Sequence, residues 1–180
     1  MKTKLILTLL FFSTIFISCK NDKKDEAADL EVPKANTFDV TVDMVVKKDD
    51  ELILFYKDQS INYFDDKNTV YSGVKGSEVS QKVTFSIPEG VLPNDIRFDI
   101  SSKKEQQPIK INSITLSFEG RQFIIDQMNF EKFFKANEYI QYDAATATAT
   151  CTEKNGIYDP YFNTNPPIYF ELEKLLGRPL

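Results

Sequence analysis

Charged residues alternate with apolar residues between positions 95 and 100, where they are Asp95, Arg97 and Asp99. Alternate residues of a β-strand share one face of the sheet and lie about 7 Å apart. A strand that buries the apolar residues therefore presents the three charged side chains as one polar row. Two carboxylates and a guanidinium can bind the hydroxyl groups of a sugar. Arg97 and Asp99 can equally bind each other, as a surface ion pair worth under about 1 kcal/mol.

Other polar and aromatic residues could extend this row into a binding site. Residues 109–116 alternate in the same way, and if they pair with residues 95–100, Asn112 lies beside the charged row. Binding of a pyranose ring also needs an aromatic surface, and the chain contains tyrosine but no tryptophan. The predicted ligand-binding residues are Tyr56, Tyr63, Tyr71, Arg97, Asp99 and Asn112.

Oxygen ligands are the basis of the metal site that the sequence allows. The chain has no histidine and two cysteines, so a zinc site built from these residues is excluded. Asp58, Asp65 and Asp66 could hold a structural Ca²⁺ in one loop, although their spacing is not that of an EF-hand. The alternative is an ordinary solvated loop, and no cofactor is predicted.

The composition excludes several kinds of catalysis and one kind of partner. Without histidine there is no Ser-His-Asp triad and no Cys-His dyad. A glycoside hydrolase needs only two carboxylates, so the 27 acidic residues leave that chemistry open without a motif to support it. No glycine-rich loop leads from a strand into a helix to bind phosphate. The net charge of −5 predicts no binding to nucleic acid.

The first residues have the pattern of an export signal. Lys2 and Lys4 precede an apolar run over residues 5–17, which is shorter than the roughly 20 residues of a membrane-spanning helix. The segment Phe16-Ile17-Ser18-Cys19 resembles the bacterial lipobox. This resemblance implies that residues 1–18 are a lipoprotein signal peptide, and that Cys19 carries the lipid that attaches the protein to a membrane.

Residues 19–36 have the composition of a flexible linker. They are rich in charged residues and alanine, and no apolar period fits them. Lys24-Asp25-Glu26 resembles the signal that directs lipoproteins of the Bacteroidota group to the outer face of the outer membrane, which implies a lipid-anchored protein at the surface. A solvated charge run is the alternative.

Residues 37–180 are predicted to form one all-β domain. Phe38, Val40, Val42, Met44 and Val46 alternate with mostly polar residues, as in a half-buried strand, and residues 52–56 follow as the second strand of a hairpin. The remaining strands are predicted within 83–87, 96–100, 109–126, 139–142, 146–152 and 168–172. One helix of two to three turns is expected near residues 128–135, and an aromatic loop at 158–163. The predicted fold is an antiparallel two-sheet β-sandwich, jelly-roll-like, with one short helix.

The segment from 93 to 99, followed by residues 109–114, resembles jelly-roll modules that accompany bacterial polysaccharide enzymes, including carbohydrate-binding modules. Residues 54–74 resemble the start of such modules, and the similarity covers about residues 38–120. It implies a non-catalytic module that binds a glycan or polysaccharide. The alternatives are an accessory subunit that binds an envelope protein, and a carboxylate-dependent glycoside hydrolase.

Overall fold

The computed structural model describes residues 36–178, which form eleven β-strands and two short helices. The strands are β1 Phe38–Val45, β2 Asp50–Lys57, β3 Thr69–Val74, β4 Gln81–Ile87, β5 Asp95–Asp99, β6 Ile109–Phe118, β7 Arg121–Asp126, β8 Phe134–Ala136, β9 Ile140–Asp143, β10 Thr148–Cys151 and β11 Tyr161–Thr164. The helices are α1 Phe130–Phe133 and α2 Pro167–Leu176. The predicted signal peptide, Cys19 and the predicted linker up to residue 35 lie outside the described residues.

The strands form two antiparallel sheets. Sheet A has the order β4-β1-β6-β10-β9, with β7 also paired to β6, and sheet B has the order β3-β2-β5-β11-β8. The prediction of an all-β, antiparallel two-sheet sandwich is therefore confirmed. Neither helix in the described part of the chain is long and apolar enough to cross a membrane.

Apart from β7, each strand of sheet A has the same place in the strand order as a strand of sheet B that is next to it in the chain. The matched pairs are β4 with β3, β1 with β2, β6 with β5, β10 with β11, and β9 with β8. Because all these pairings are antiparallel, the five connections between matched strands lie at one end of the sandwich, which we call the corner end. Two further connections, β4–β5 and β7–β8, also join the sheets, and β4–β5 does so at the opposite end. The opposite end, where β1 begins and β2 ends, is called the loop end.

This topology corrects two predicted pairings. β1 and β2 were expected to form a hairpin, but they lie in different sheets because residues 46–49 turn the chain through a corner. The pairing of β5 with β6, on which the position of Asn112 beside the charged row depended, does not form, because these strands also lie in different sheets. The alternation identified which residues of each strand are buried, but it holds no information about which strand lies alongside.

A buried carboxylate joins the corners. Asp50 Oδ2 accepts hydrogen bonds from Ser101 Oγ at 2.7 Å and Gln106 Nε2 at 2.8 Å, and its Oδ1 accepts from the Ser102 N–H at 3.0 Å. Tyr158 Oη donates to Ser101 Oγ at 2.9 Å. Buried polar groups need such partners, so this network fixes the β1–β2, β5–β6 and β10–β11 corners against one another.

The core lies between the sheets and is rich in aromatic residues. Phe85 of β4 and Phe98 of β5 meet across it with ring centroids 5.8 Å apart. Phe130 of α1 packs against both Phe134 and Phe162, with centroids 5.2 and 5.1 Å away. Each such side chain stabilises the fold by roughly 1.5–3 kcal/mol through burial.

The C-terminal segment is a helix, so the strand predicted at 168–172 is wrong. Ile168, Leu172, Leu175 and Leu176 are buried, and their spacing of four, three and one residues is helical. Gly177 ends α2 in the left-handed conformation, with φ of 69°. The predicted helix at 128–135 is shorter than expected: α1 makes a single turn before the chain enters β8, and the predicted loop at 158–163 contributes to β11.

Candidate functional site

Arg97 and Asp99 bind each other on the outer face of β5. Arg97 Nε and Nη2 each donate to one carboxylate oxygen of Asp99, both at 2.7 Å, and Nη2 also donates to Asp159 at 3.0 Å. The guanidinium lies 3.7 Å from the ring centroid of Tyr161 and 4.8 Å from that of Phe55. Of the two interpretations of Arg97 and Asp99, the structure therefore has the ion pair between them. The guanidinium group lies between aromatic rings of the two neighbouring strands.

Burial dominates the ionisation of Asp99. Removal from water raises the pKa of its carboxyl to about 6, against the lowering effect of the hydrogen bonds and charge of Arg97. The nearby charge of Asp159 raises it further. This is a packed ionic contact within the protein, and its hydrogen-bonding groups are largely used by one another.

The other predicted ligand residues are dispersed. Tyr56 points into the core beside Leu54 and is only 5% exposed, because even-numbered residues of β2 face inward. Its ring therefore has no free face for a sugar. Asn112 lies in sheet A, where its amide donates to Asp43 at 2.9 Å and to Ser80 at 2.8 Å. Neither residue lies beside the Arg97–Asp99 pair on the outer face of sheet B.

Tyr71 and Tyr63 are the predicted tyrosines that remain exposed. Tyr71 is 54% exposed on the edge strand β3, opposite Ile53 and in the same lateral row as Asp99. Tyr63 is 60% exposed and lies at the loop end, in the connection between β2 and β3. The predicted set is therefore divided among the core, sheet A, the outer face of sheet B and the loop end.

The loop end contains a cleft of about 920 Å³ to which Tyr63 belongs. Three segments form it: the β2–β3 loop at residues 58–68, the start of β5 with the residue before it, and α2. The lining residues are Lys57, Asp58, Gln59, Ser60, Ile61, Asn62, Tyr63, Asp65, Lys67, Asn68, Asn94, Asp95, Tyr169 and Glu173. The cleft is thus mainly polar, with aromatic residues from both the loop and the helix.

Backbone hydrogen bonds hold the walls of the cleft. The Asn94 N–H donates to the Lys57 carbonyl at 2.8 Å, and its side-chain amide donates to the Asp58 carbonyl at 2.9 Å. At the other end of the loop, the Tyr56 N–H donates to the Asn68 carbonyl at 3.0 Å. The backbone of the loop is therefore anchored at both ends, which reduces the conformational freedom that a ligand would have to remove.

An ion pair forms the base of the cleft. Lys57 Nζ lies 2.6 Å from Asp95 Oδ2, and it also lies 4.5 Å from the ring centroid of Phe64. Thr164 of β11 donates to the same Asp95 carboxylate. These contacts connect β2, β5 and β11 below the loop.

Asp58 is an ionised acceptor in the wall. Its Oδ1 accepts from the N–H of Ser60 at 2.8 Å and from the Ser60 hydroxyl at 2.6 Å. The hydroxyl bond is the largest influence on Asp58, and together with the backbone bonds it lowers the pKa of the carboxyl below its usual value.

The structure does not assemble the predicted calcium site from Asp58, Asp65 and Asp66. Within residues 36–178, no group of three or more acidic or cysteine side chains is arranged to hold a metal ion. Asp58 and Asp65 instead accept hydrogen bonds from the N–H groups of Ser60 and Lys67. Each carboxylate closes a local turn, as aspartate commonly does in loops.

Tyr169 is an aromatic cleft residue that was not predicted as a site residue, and Asn62 and Asn68 of the loop were not predicted either. Tyr169 is 41% exposed and comes from α2, in the segment that was predicted to be a strand. Pro167 and Gly177 are sequence signals for the start and the end of a helix, and they could have predicted α2. In that helix Tyr169 follows the buried Ile168 and is itself partly exposed.

No protein-family model matches the chain, and no curated protein or solved structure is similar to it. The resemblance to carbohydrate-binding modules therefore stays a prediction. The geometry of the cleft is the basis for assigning a function.

Proposed function

We propose that the protein is a non-catalytic glycan-binding module, and that the cleft at the loop end is its binding site. The observation that supports this most directly is the pair of exposed tyrosines, Tyr63 and Tyr169, at a cleft that is otherwise polar. Its volume of about 920 Å³ suits several sugar rings and lies within the usual range of ligand sites.

The chemistry of a sugar matches these groups. A pyranose has apolar C–H faces, which pack on aromatic rings, and a rim of hydroxyls, which bind planar amides and carboxylates. The cleft offers both kinds of surface: Tyr63 and Tyr169 supply rings, while Asn62, Asn68 and Asp58 supply amide and carboxylate groups. The backbone bonds at both ends of the loop lower the cost of ordering these side chains on binding.

Hydrolysis is not part of this proposal. A glycosidase needs a general acid, which is a carboxyl with a raised pKa that faces the sugar. Asp58 faces the cleft, but its pKa is lowered. Asp99 has a raised pKa, but it is bound to Arg97 and does not line the cleft. Asp58 and Asp99 therefore each lack one of the two properties that a general acid needs.

The test is a glycan array followed by calorimetry, with a full-length Cys19→Ser chain to avoid lipidation. We expect Tyr63→Ala and Tyr169→Ala each to weaken binding about tenfold, because loss of one stacked ring costs about 0.5–1.5 kcal/mol beyond its buried area. Tyr71→Ala is the matched control, since Tyr71 is similarly exposed but lies outside the cleft. Failure to bind any glycan, or equal losses in all three variants, would contradict the proposal.

The proposal includes a lipid anchor at Cys19 and a location at the outer membrane surface. It is supported by the lipobox-like segment and by the Lys24-Asp25-Glu26 motif. Mass spectrometry of the membrane-bound protein should find an acylated N-terminal Cys19, and Cys19→Ser should abolish both the acylation and the cleavage before residue 19. Recovery of an unmodified chain that retains residues 1–18 would refute the anchor.

A second function, as an accessory subunit that binds an envelope protein, is favoured by β3. This strand is at the edge of sheet B, and Thr-Val-Tyr-Ser-Gly-Val contains neither charged residues nor proline. Charged residues or proline on an edge strand usually prevent it from pairing with another chain. An edge strand without them can therefore accept a partner strand. Tyr71→Lys should then abolish specific crosslinks to β3 in membranes. Crosslinks that are unaffected by this charge would exclude pairing at that edge.

A further inference from the structure

We propose that the cleft discriminates by charge: it accepts uncharged or amino-bearing oligosaccharides and rejects those that carry carboxylate or sulfate groups. This inference rests on the proposed glycan-binding function and names the class of glycan that the site takes. The inference depends on two observations: the charges that line the cleft, and the ion pairs that some of them form within the protein.

Acidic side chains outnumber basic ones in the lining. Four carboxylates and two lysine ammonium groups line the cleft, and ion pairs within the protein neutralise two of the carboxylates, Asp95 and Glu173. Two carboxylates then remain against one lysine, which leaves an excess of one negative charge. An anionic sugar that enters the cleft therefore meets a net repulsion.

Ion pairs leave Lys67 as the cation that a ligand could use most readily. Lys57 is bound to Asp95 at 2.6 Å, and both side chains are mostly buried. Its ammonium group could reach a ligand only by leaving that carboxylate and the ring of Phe64. Glu173 is likewise paired with Arg178, at 3.1 Å.

The remaining carboxylates belong to Asp58 and Asp65, which face the same cleft from the two ends of the loop. Each is oriented by a backbone N–H, from Ser60 at 2.8 Å and from Lys67 at 2.9 Å. The lowered pKa of Asp58 keeps that carboxyl ionised at neutral pH. Carboxylate oxygens only accept hydrogen bonds, so they suit sugar hydroxyls or ammonium groups and oppose another anion.

Calorimetry on the full-length Cys19→Ser chain tests the inference with matched polymers. The probes are amylose fragments, laminarin and β-1,4-galactan, each in neutral form and after oxidation of its C6 hydroxyls to carboxylates. We expect any polymer that binds to lose at least tenfold in affinity on oxidation at 20 mM salt. Part of the loss should disappear at 0.5 M salt, where charges are screened over about 3–5 Å.

Variants connect the discrimination to particular residues. Asp58→Asn combined with Asp65→Asn should reduce the neutral-to-oxidised ratio at least threefold, because asparagine retains an acceptor for each turn without the charge. Asp66→Asn is the control, since Asp66 lies in the same loop but does not line the cleft, and its ratio should be unchanged. Circular dichroism verifies that the variants are folded.

The two proposals fail in different ways. If a neutral polymer binds and its oxidised form binds equally or more tightly, charge discrimination is refuted while glycan binding stands. An unchanged ratio in the Asp58/Asp65 double variant also refutes the assignment to these carboxylates. If no polymer binds in either form, and the glycan array is also negative, the proposed function is refuted and the inference falls with it.

Discussion

Replacement of Arg97 distinguishes a structural role from a ligand-binding role on the outer face of sheet B. The Arg97→Ala change removes three hydrogen bonds, two to Asp99 and one to Asp159, and two contacts with aromatic rings. It also leaves Asp99 buried without its cation. We therefore expect a loss of stability and no loss of glycan binding at the cleft.

The loss of stability expected for Arg97→Ala lies between two limits. Exposed ion pairs contribute about 0–1 kcal/mol, whereas removing one partner of a buried pair costs about 3–5 kcal/mol. The side chains of Arg97 and Asp99 are 20% and 12% exposed, which is nearer the buried limit. We expect the free energy of unfolding to fall by about 2–4 kcal/mol, equivalent to a decrease in Tm of roughly 10 °C.

Urea unfolding of a double-mutant cycle measures the effect. Asp99→Ala combined with Arg97→Ala should cost less than the sum of the two single changes by about 2 kcal/mol, since the double variant has no unpaired buried charge. Arg121→Ala is the control, because its pair with Glu119 is about half exposed and should contribute under about 1 kcal/mol. Additive losses, or an unchanged stability with abolished glycan binding, would refute this assignment.

Two further predictions concern buried acids. The pKa of Asp99 is raised to about 6 in the folded state, above the value of about 3.9 expected in the unfolded chain. The folded protein therefore binds this proton more tightly, so its stabilisation is complete below about pH 4 and is lost as the pH rises through about 6. Urea midpoints between pH 4 and 7 should show this trend, and Asp99→Asn should flatten it. Asp50→Ala should lower the free energy of unfolding by about 3 kcal/mol, because it leaves the buried Ser101 hydroxyl and two partly buried donors without their acceptor. Asp49→Ala, at an exposed neighbour, should cost under about 1 kcal/mol, and similar losses in these two variants would contradict the role of the corner network.

The strands that could be predicted are those that bury one face. β1 has strictly alternating burial, and β4 nearly so, because a half-buried strand needs apolar residues at every second position. β3 could not be predicted in the same way, since Val74 is its one buried residue and its Thr-Val-Tyr-Ser-Gly-Val sequence shows no alternation. The class of fold was therefore accessible from periodicity, and the full set of strands was not.

Most strand neighbours were not accessible, because they depend on contacts between distant residues. The β6–β7 hairpin is the exception, since a strand pair was predicted within residues 109–126 with its turn at residues 119–121. Whether β2 folds back on β1 or crosses to the other sheet depends on the corner at residues 46–49. That corner is held by Asp50 and its bonds to Ser101, Ser102 and Gln106, more than 50 residues away. The expected position of Asn112 beside Arg97 was wrong for the same reason, since it assumed that consecutive strands pair.

The cleft was hidden from the sequence by this same topology. Five of the connections between the sheets lie at the corner end, whereas the β2–β3 loop, the end of the β4–β5 connection and the C-terminal helix lie together at the loop end. Tyr63 and Tyr169 are separated by more than 100 residues, and no local pattern relates them. Their proximity also required α2 to be recognised as a helix, which Ile168, Leu172 and Leu175 could have indicated. A binding site assembled from loops at one end of a sandwich is thus determined by where the chain crosses between sheets, and the residues best placed to bind are those that the strands themselves do not use.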